Sequence, residues 1–221
     1  MTNTLGTVLF LVLASLSLPS FAADSTGAKG DRDVPTCTAP KLFLVLHNGA
    51  LVCQPRYVDN GDGTVTDNNT GLMWEKQLAT TDAACTSTAQ ASRNVRCAQN
   101  TYYWSVFPST NPNGTLFTTF LATLNLDATA TGTSTCFANH CDWRIPNIAE
   151  LGGIVLTPFP NCTSVPCIDP TFGPTEATWY WASSSFASDH SYVWSVYFPT
   201  GQVIPETTDN NFSARAVRSG R

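Results

Sequence analysis

The sequence carries few charged residues, and acidic residues outnumber basic ones. Charged side chains make up 12% of the 221 residues, with 11 Lys and Arg against 16 Asp and Glu, and the net charge is −5. Nucleic-acid binding depends on a basic surface that neutralises backbone phosphates. The composition therefore argues against nucleic acid as a partner, while the 43% of apolar residues is enough to form a core.

Motifs of common catalytic sites are also missing. The sequence has no G-x-S-x-G nucleophile elbow, no H-E-x-x-H zinc helix and no G-x-x-x-x-G-K-[ST] phosphate loop. Ser183, Asp189 and His190 are the residue types of a hydrolytic triad, but an ordinary surface loop explains them better because serine is abundant here. We therefore expect a protein with no enzyme activity and no cofactor.

Only one long apolar run is present, and it lies near residue 1. Val8–Leu18 is short for a membrane span, and Ser20, Phe21 and Ala22 fit the small-x-small cleavage pattern. We predict a signal peptide over residues 1–22, with an uncleaved membrane anchor as the alternative because the run is preceded by no Lys or Arg. The processed chain is then secreted, periplasmic or at the cell surface, and not an integral membrane protein.

The cysteines support export. An even number of cysteines after a signal peptide indicates disulfides, although eight allow about 105 pairings. Neighbouring cysteines fall into four local pairs, so we predict the disulfides Cys37–Cys53, Cys85–Cys97, Cys136–Cys141 and Cys162–Cys167. A zinc site is the alternative for one subset: Cys136, His140, Cys141, Cys162 and Cys167. The four-residue spacers and the oxidising compartment favour disulfides over zinc.

The stretch from Arg56 to Lys76 predicts three short strands joined by two tight turns. Asn-Gly and Asp-Gly pairs supply the positive φ angles that hairpin turns require. Asp59, Asp62 and Asp67 could instead gather oxygens for calcium, but the third and fifth positions of an EF-hand loop starting at Asp59 are glycines. Turn chemistry explains these aspartates without a metal, because Asp bonds its own backbone.

Three further elements can be read from local patterns. A hairpin with an Asn-Gly turn is predicted between Cys37 and Cys53. Apolar residues at helical spacing predict a helix over Thr115–Asn125. Asn147, with Glu150 three positions later, predicts the capped start of a second helix.

Strands dominate the remaining sequence. Alternation and turn residues predict strands at Trp179–Ser184, Tyr192–Phe198, Gln202–Ile204 and Phe212–Arg218. Early strands, two helices and then several strands predict an α+β fold with short antiparallel strands and disulfide-closed loops.

Aromatic residues in these strands are candidates for ligand binding. A sugar-stacking platform could be formed by Tyr180, Trp181, Trp194 and Tyr197 if some of them face solvent. The alternative is that they fill the core, which is the usual place of large aromatic side chains.

Five ordered motifs resemble one family. They are DNGDGTVTDNNTGLMWEK (59–76), DWRIPNIAEL (142–151), YWASSS (180–185), VWSVYFPTGQV (193–203) and RAVR (215–218). They are similar to the bacterial DUF1566 family, also called the C-terminal domain of the Legionella collagen-like adhesin. On this resemblance, residues 56–221 form the family domain, and residues 23–55 form an N-terminal extension with a disulfide-closed hairpin.

The resemblance implies a C-type-lectin-like fold shared with formylglycine-generating enzymes, whose W-R-L-P-T-x-x-E-W segment is similar to Trp143–Leu151. It also implies an exported bacterial surface protein acting in adhesion, glycan binding or surface fibres. The adhesin carries Gly-X-Y repeats before this domain. Gly27–Arg32 has two such triplets, which are too few for a triple helix.

Two departures from the family limit what carries over. The family often has a cysteine in its R-x-V-R motif, where this chain has Ala216. The adhesin is linked to sulfated glycosaminoglycans, which need basic patches that a chain of net charge −5 does not obviously supply.

Three functions follow as hypotheses. The first is a non-catalytic module that recognises a glycan or protein at a cell surface. The second is a structural subunit that self-associates into an extracellular fibre or surface complex. The third is an enzyme related to formylglycine generation, which requires reactive cysteines.

Overall fold

A computed structural model describes residues 42–47, 50–106, 109–126, 135–156, 162 and 165–220, all within one unit, Pro35–Arg221. The predicted signal peptide, residues 23–35 with their Gly-X-Y triplets, Cys37 and the Asn48-Gly49 turn lie outside the described residues. The strands are β1 (Leu42–His47), β2 (Ala50–Pro55), β3 (Tyr57–Asp59), β4 (Thr64–Asp67), β5 (Leu72–Glu75), β6 (Tyr102–Tyr103), β7 (Trp179–Ser185), β8 (Tyr192–Tyr197), β9 (Gln202–Thr207), β10 (Asn211–Phe212) and β11 (Val217–Ser219).

The predicted meander between Arg56 and Lys76 is confirmed. Strands β3, β4 and β5 pair antiparallel in sequence order. The turns between them place Gly63 at φ +88° and Gly71 at φ +70°, in the left-handed region that glycine enters without strain. Strand β11 adds to the free edge of β5, so the four-stranded sheet has the order β11-β5-β4-β3.

The later strands form a second antiparallel sheet in the order β7-β8-β9. Both faces of β7 are covered. Tyr180 and Ala182 belong to a core cluster shared with the first sheet, whereas Trp181 belongs to a second cluster beneath the helix near residue 120. Burial on both faces explains why the sequence of β7 begins as a continuous apolar run rather than alternating.

The helix predicted over Thr115–Asn125 is present, but its winding differs from the prediction. Leu116–Leu121 is a π-helix and Ala122–Leu124 (α1) is an α-helical turn. Gly114, just before this helix, lies very close to β6. A Cβ at this position would be 2.2 Å from the Tyr103 carbonyl oxygen. The buried residues Leu116, Phe120 and Leu124 are four apart, so they lie on one face of the helix.

The second helix begins where the sequence predicts. Asn147 caps Ile148–Gly153 (α2) by accepting a hydrogen bond from the Glu150 backbone N–H, and the Glu150 side chain accepts one from the Asn147 backbone N–H. This reciprocal pair is a capping box.

The single strand predicted over Phe212–Arg218 is wrong. Strand β10 pairs with β6, and β11 pairs with β5, so residues 213–216 must carry the chain from one sheet to another. These four residues are buried. Ala214 and Ala216 pack in the second cluster, while a parallel bridge joins Ser213 to Tyr180.

The disulfide predictions are confirmed for the pairs that lie wholly within the described residues. Cys85–Cys97, Cys136–Cys141 and Cys162–Cys167 have Cα–Cα distances of 5.5, 5.2 and 5.5 Å. Four of the five residues of the zinc alternative are thus consumed in disulfides, which overturns that alternative. Cys53 is also disulfide-bonded, but its predicted partner, Cys37, lies outside the described residues.

Candidate functional site

The RAVR motif places a guanidinium group in the middle of the protein. Arg215 has no exposed surface, and one terminal nitrogen donates hydrogen bonds to the carbonyl oxygens of Glu75 (2.8 Å) and Phe172 (3.1 Å). The other terminal nitrogen donates to Gln77 Oε1 and Thr175 Oγ1, both at 2.9 Å. The terminal nitrogens are therefore used by the protein itself, and this motif stabilises the fold.

The carboxylate of Glu75 is also fully buried, beside two guanidinium groups. Burial raises the pKa of the Glu75 carboxyl above its usual range, while the charges of Arg215 and Arg96 oppose that shift. Arg96 Nε lies 3.7 Å from Glu75 Oε1. A Cβ at Gly63 would lie 2.5 Å from Arg96 Nη2, so the turn glycine of the meander leaves room for this arginine.

The DWRIPNIAEL motif is likewise held by internal ion pairs. Both terminal nitrogens of Arg144 donate to the Glu150 carboxylate at 2.7 Å. The hydrogen bonds from Arg144 hold the pKa of Glu150 below its usual range, and the Asn147 backbone N–H adds to the effect. Arg218 Nε donates a hydrogen bond to the Asp142 carboxylate at 2.6 Å. This bond joins the DWRIPNIAEL motif to the last residue of the RAVR motif.

A cavity of about 230 Å³ lies where the two most specific motifs meet. Its lining comes from both motifs, with Arg56 and Gly153 in addition: Arg56, Asp67, Thr70, Leu72, Trp74, Asn147, Ala149, Glu150 and Gly153. The charged groups are already paired, Arg56 with Asp67 and Glu150 with Arg144. Ligand pockets generally have a volume of at least about 300 Å³. This junction is therefore a weaker candidate site than the surfaces considered next.

The calcium candidates do not converge on one point. Asp59 accepts from the Gly61 N–H and pairs with Lys76, and Asp62 accepts from the N–H and hydroxyl of Thr64. Asp67 is bound by Arg56 Nε and Nη2 at 3.1 and 3.0 Å. Within the described ranges, no group of three or more His, Cys, Asp or Glu residues could hold a metal ion. Turn and ion-pair chemistry accounts for all three aspartates.

The predicted aromatic platform divides into buried and partly exposed residues. Tyr180 and Trp181 have 0% exposure, so neither can stack on a ligand in this structure. Trp194 and Tyr197 are partly exposed but extend from opposite faces of β8, since their positions differ by an odd number of residues. The four residues therefore do not form one platform.

A different aromatic set does form a continuous surface, which we call the aromatic ledge: Trp179, Tyr197 and Phe212. All three are partly exposed. Trp179 and Tyr197 are cross-strand partners with ring centroids 4.9 Å apart, and Phe212 stacks on Trp179 at 6.1 Å with an interplanar angle of 27°. Gln202, the partner of Tyr197 on β9, is exposed beside it.

The ledge has the chemistry of a contact surface. Flat rings at the edge of a rigid sheet can stack on the apolar face of a sugar or on a partner's side chain, and an adjacent amide can fix orientation. Sequence reasoning found Tyr197 but missed Trp179 and Phe212. Their grouping depends on the register of β7 against β8, which the sequence does not specify. The available signal was the W-x-W alternation at 179–181, which places Trp179 and Trp181 on the same face of the strand.

Comparison with known protein families identifies the chain. The Lcl C-terminal domain family matches residues 63–218, so the chain belongs to that family, as the motifs in the sequence predicted. Membership is consistent with a surface-associated, adhesin-like module. No curated protein matches the chain. In the part of the chain that the structure describes, no helix has the length and apolar character needed to cross a membrane.

Proposed function

We propose that the chain is an exported bacterial adhesion module that binds a glycan or a protein at a cell surface and is not catalytic. The family match over residues 63–218 carries this proposal. The disulfides support an oxidising location outside the cytoplasm. The aromatic ledge supplies a surface on which such a contact can form.

The proposal extends to the fold and the domain limits. We infer a C-type-lectin-like domain that begins near Arg56, just before the matched region. In support, helices are few and the sheets are antiparallel. The segment that resembles the formylglycine-generating enzymes, Trp143–Leu151, contains the capped start of a helix at Asn147. An experimentally determined structure that superposes poorly on C-type-lectin-like domains would refute the fold assignment.

The test of adhesion uses the oxidised protein on a glycan array and on host cells, together with one matched pair of variants. Trp179→Ala removes the centre of the ledge, whereas Trp194→Ala removes a partly exposed tryptophan on the opposite face of the sheet. We expect at least a tenfold loss of binding for the first variant only. Near-ultraviolet circular dichroism checks that both variants remain folded. No binding by the unaltered protein to either array or cells would refute the function.

A structural subunit of a fibre or surface complex is the second candidate, and the β1–β2 hairpin favours it. This hairpin forms a separate two-stranded sheet, paired with no other strand among the described residues. Residues 42–55 include no charged residue, and an isolated two-stranded hairpin is only marginally stable in water. Size-exclusion chromatography and negative-stain microscopy of native material test this role. Monomers alone would count against it.

The proposal of a non-catalytic role rests on thiol chemistry as well as on missing motifs. Formylglycine-type chemistry needs a reactive thiolate, and the seven cysteines in the described part of the chain are all in disulfides. We expect a free-thiol assay on the denatured, unreduced protein to give no signal. A titratable thiol, together with oxidation of a cysteine-containing peptide, would support the enzyme instead.

A further inference from the structure

A second surface outside the ledge has the form of a ligand site. A cavity of about 430 Å³ lies between the disulfide-tied segment at residues 90–102 and the helix that begins at Thr115. This volume falls within the range of about 300–1,000 Å³ typical of small-molecule sites. One wall is the row Thr115, Thr119 and Thr123 of the helix, and the opposite wall includes Arg93 and Asn94.

The loop wall is built before any ligand arrives. The Cys85–Cys97 disulfide ties the middle of this segment to the chain before it. The Gln90 side chain donates to the Thr101 carbonyl and accepts from its N–H, at 2.6 and 3.2 Å. Asn100 is buried and donates to the Asn94 carbonyl at 2.8 Å. A pre-ordered wall lowers the entropy lost on binding.

The cavity offers no free ionic group among its lining residues. No carboxylate lines it. Its one cation, Arg93, donates to the carbonyl oxygens of Ser87 and Thr88 at 2.6 and 3.0 Å and to Asn100 Oδ1 at 3.3 Å. The arginine therefore holds its own loop, and its charge is engaged by three acceptors of the protein.

The polar groups left for a ligand are hydroxyl and amide groups. Among the described residues, the hydroxyls of Thr119 and Thr123 and the amide nitrogen of Asn94 make no hydrogen bond, and all three residues are exposed. Ala91 and Val95 add small apolar patches to the same wall. Neutral hydroxyl and amide partners beside apolar patches match the alternating polar and apolar surfaces of a pyranose ring.

The helix wall is one row of side chains at helical spacing. Residues four apart lie on the same side of a helix, so two rows of side chains run along this one. Leu116, Phe120 and Leu124 form the buried row, and the threonines one position earlier form the cavity row. The helix begins with a π-helical segment, Leu116–Leu121, and such segments occur frequently at functional sites.

We propose that this cavity binds a neutral saccharide of one or two rings. The proposal rests on the adhesion function above and adds a ligand class and a location to it. The site is separate from the aromatic ledge in its residues, so the two can be tested independently.

The test measures binding of the full oxidised protein to methyl glycosides of glucose, galactose, mannose and N-acetylglucosamine, to lactose and to chitobiose, with glucuronic acid as the charged comparison. Thr119→Gln extends a side chain into the cavity. Ala122→Gln places the same group on a neighbouring exposed position of the helix that does not line the cavity. Isothermal titration and ligand-observed NMR give the affinities.

The expected result is that at least one neutral sugar binds, that Thr119→Gln weakens it at least tenfold, and that Ala122→Gln leaves it within twofold. Equal binding by both variants, or binding of glucuronic acid alone, would overturn the cavity assignment. If no neutral sugar binds but the protein still adheres to cells, the saccharide site fails and the adhesion function stands. If adhesion is absent as well, both fail.

Discussion

The buried guanidinium group of Arg215 allows a prediction with a definite size. Arg215→Met removes four hydrogen bonds made by the guanidinium group and leaves the Glu75 carboxylate with only Arg96, at 3.7 Å. Removing the charged donor costs about 1–3 kcal/mol for each buried acceptor left unsatisfied, so the total should reach about 3–5 kcal/mol. The Glu75 carboxylate also loses a nearby positive charge. For a domain of about 150–250 residues, a loss of about 3–5 kcal/mol lowers Tm by roughly 6–20 °C.

The control is the same substitution at a pair that water reaches. Arg144 is 44% exposed where it binds Glu150, and exposed pairs contribute about 0–1 kcal/mol. Arg144→Met should therefore cost far less than Arg215→Met. Both free energies of unfolding come from urea denaturation followed by tryptophan fluorescence, with the disulfides intact and the dependence on urea concentration unchanged between proteins.

The pH dependence separates a charge effect from lost packing. The fold raises the pKa of Glu75 above its unfolded value, so the folded state binds the proton more tightly and protonation of Glu75 favours folding. Of the two arginines that lower the pKa of Glu75, Arg215 has the larger effect. Its removal should therefore raise the pKa of Glu75 further. The difference in free energy of unfolding between the unaltered protein and Arg215→Met should therefore shrink as the pH falls from neutrality through the pKa of Glu75 in the folded variant.

A double-mutant cycle completes this test. In a Glu75→Gln background, Arg215→Met no longer strands a charge, so it should cost at least about 1 kcal/mol less than in the unaltered protein. A cost of Arg215→Met below about 1 kcal/mol, a deficit that does not change with pH, or strictly additive effects would refute the electrostatic account of this pair.

Three smaller perturbations test other parts of the fold. Gly114→Ala places a Cβ 2.2 Å from the Tyr103 carbonyl oxygen, so the helix must move away from β6; thermal unfolding should show a loss of several kcal/mol, and an unchanged Tm would contradict the close approach. Asn147→Ala removes the cap of α2 and should cost about 1 kcal/mol in urea denaturation, with Asn147→Ser restoring most of it. Replacing Cys85 and Cys97 together by Ser opens a loop with a sequence separation of 12 and should cost about 3 kcal/mol in urea denaturation; an unchanged free energy of unfolding would contradict this.

The features that could be predicted from sequence are those fixed by neighbouring residues. The meander follows from glycines that tolerate positive φ at positions 63 and 71. The start of α2 follows from Asn147 and Glu150 three positions apart. The three disulfides within the described residues join cysteines close in sequence. In each case the deciding interaction is local, so its signal lies within one short window.

The features that sequence could not predict depend on distant partners. Phe212–Arg218 has the composition of one strand, but β10 pairs with β6 and β11 with β5. The aromatic ledge forms because Trp179 lies opposite Tyr197. Hydrophobic alternation shows that a residue faces one side of a sheet, and says nothing about which strand lies next to it.

The cavity beside the helix was missed for a related reason. Thr115, Thr119 and Thr123 have helical spacing, but the cavity forms only because residues 90–102 lie opposite them. Helical spacing does not indicate which distant segment lies opposite a helix face. The buried Arg215 was likewise read only as part of a family motif. Because a charged residue is rarely fully buried, sequence alone places Arg215 at the surface. Only the four acceptors around its guanidinium group show its structural role.

The pairing of β11 with β5 has a consequence for how the protein acquires its structure. Arg215 bonds the Glu75 carbonyl across a sequence separation of 140, and the strand that follows closes the edge of the first sheet. Contacts this far apart in the chain raise the contact order and slow folding. A chain ending before Arg215 would hold the meander, with Glu75 facing an empty site and β5 left as an open edge. The four-stranded sheet β11-β5-β4-β3 is therefore complete only when residues 215–219 are present.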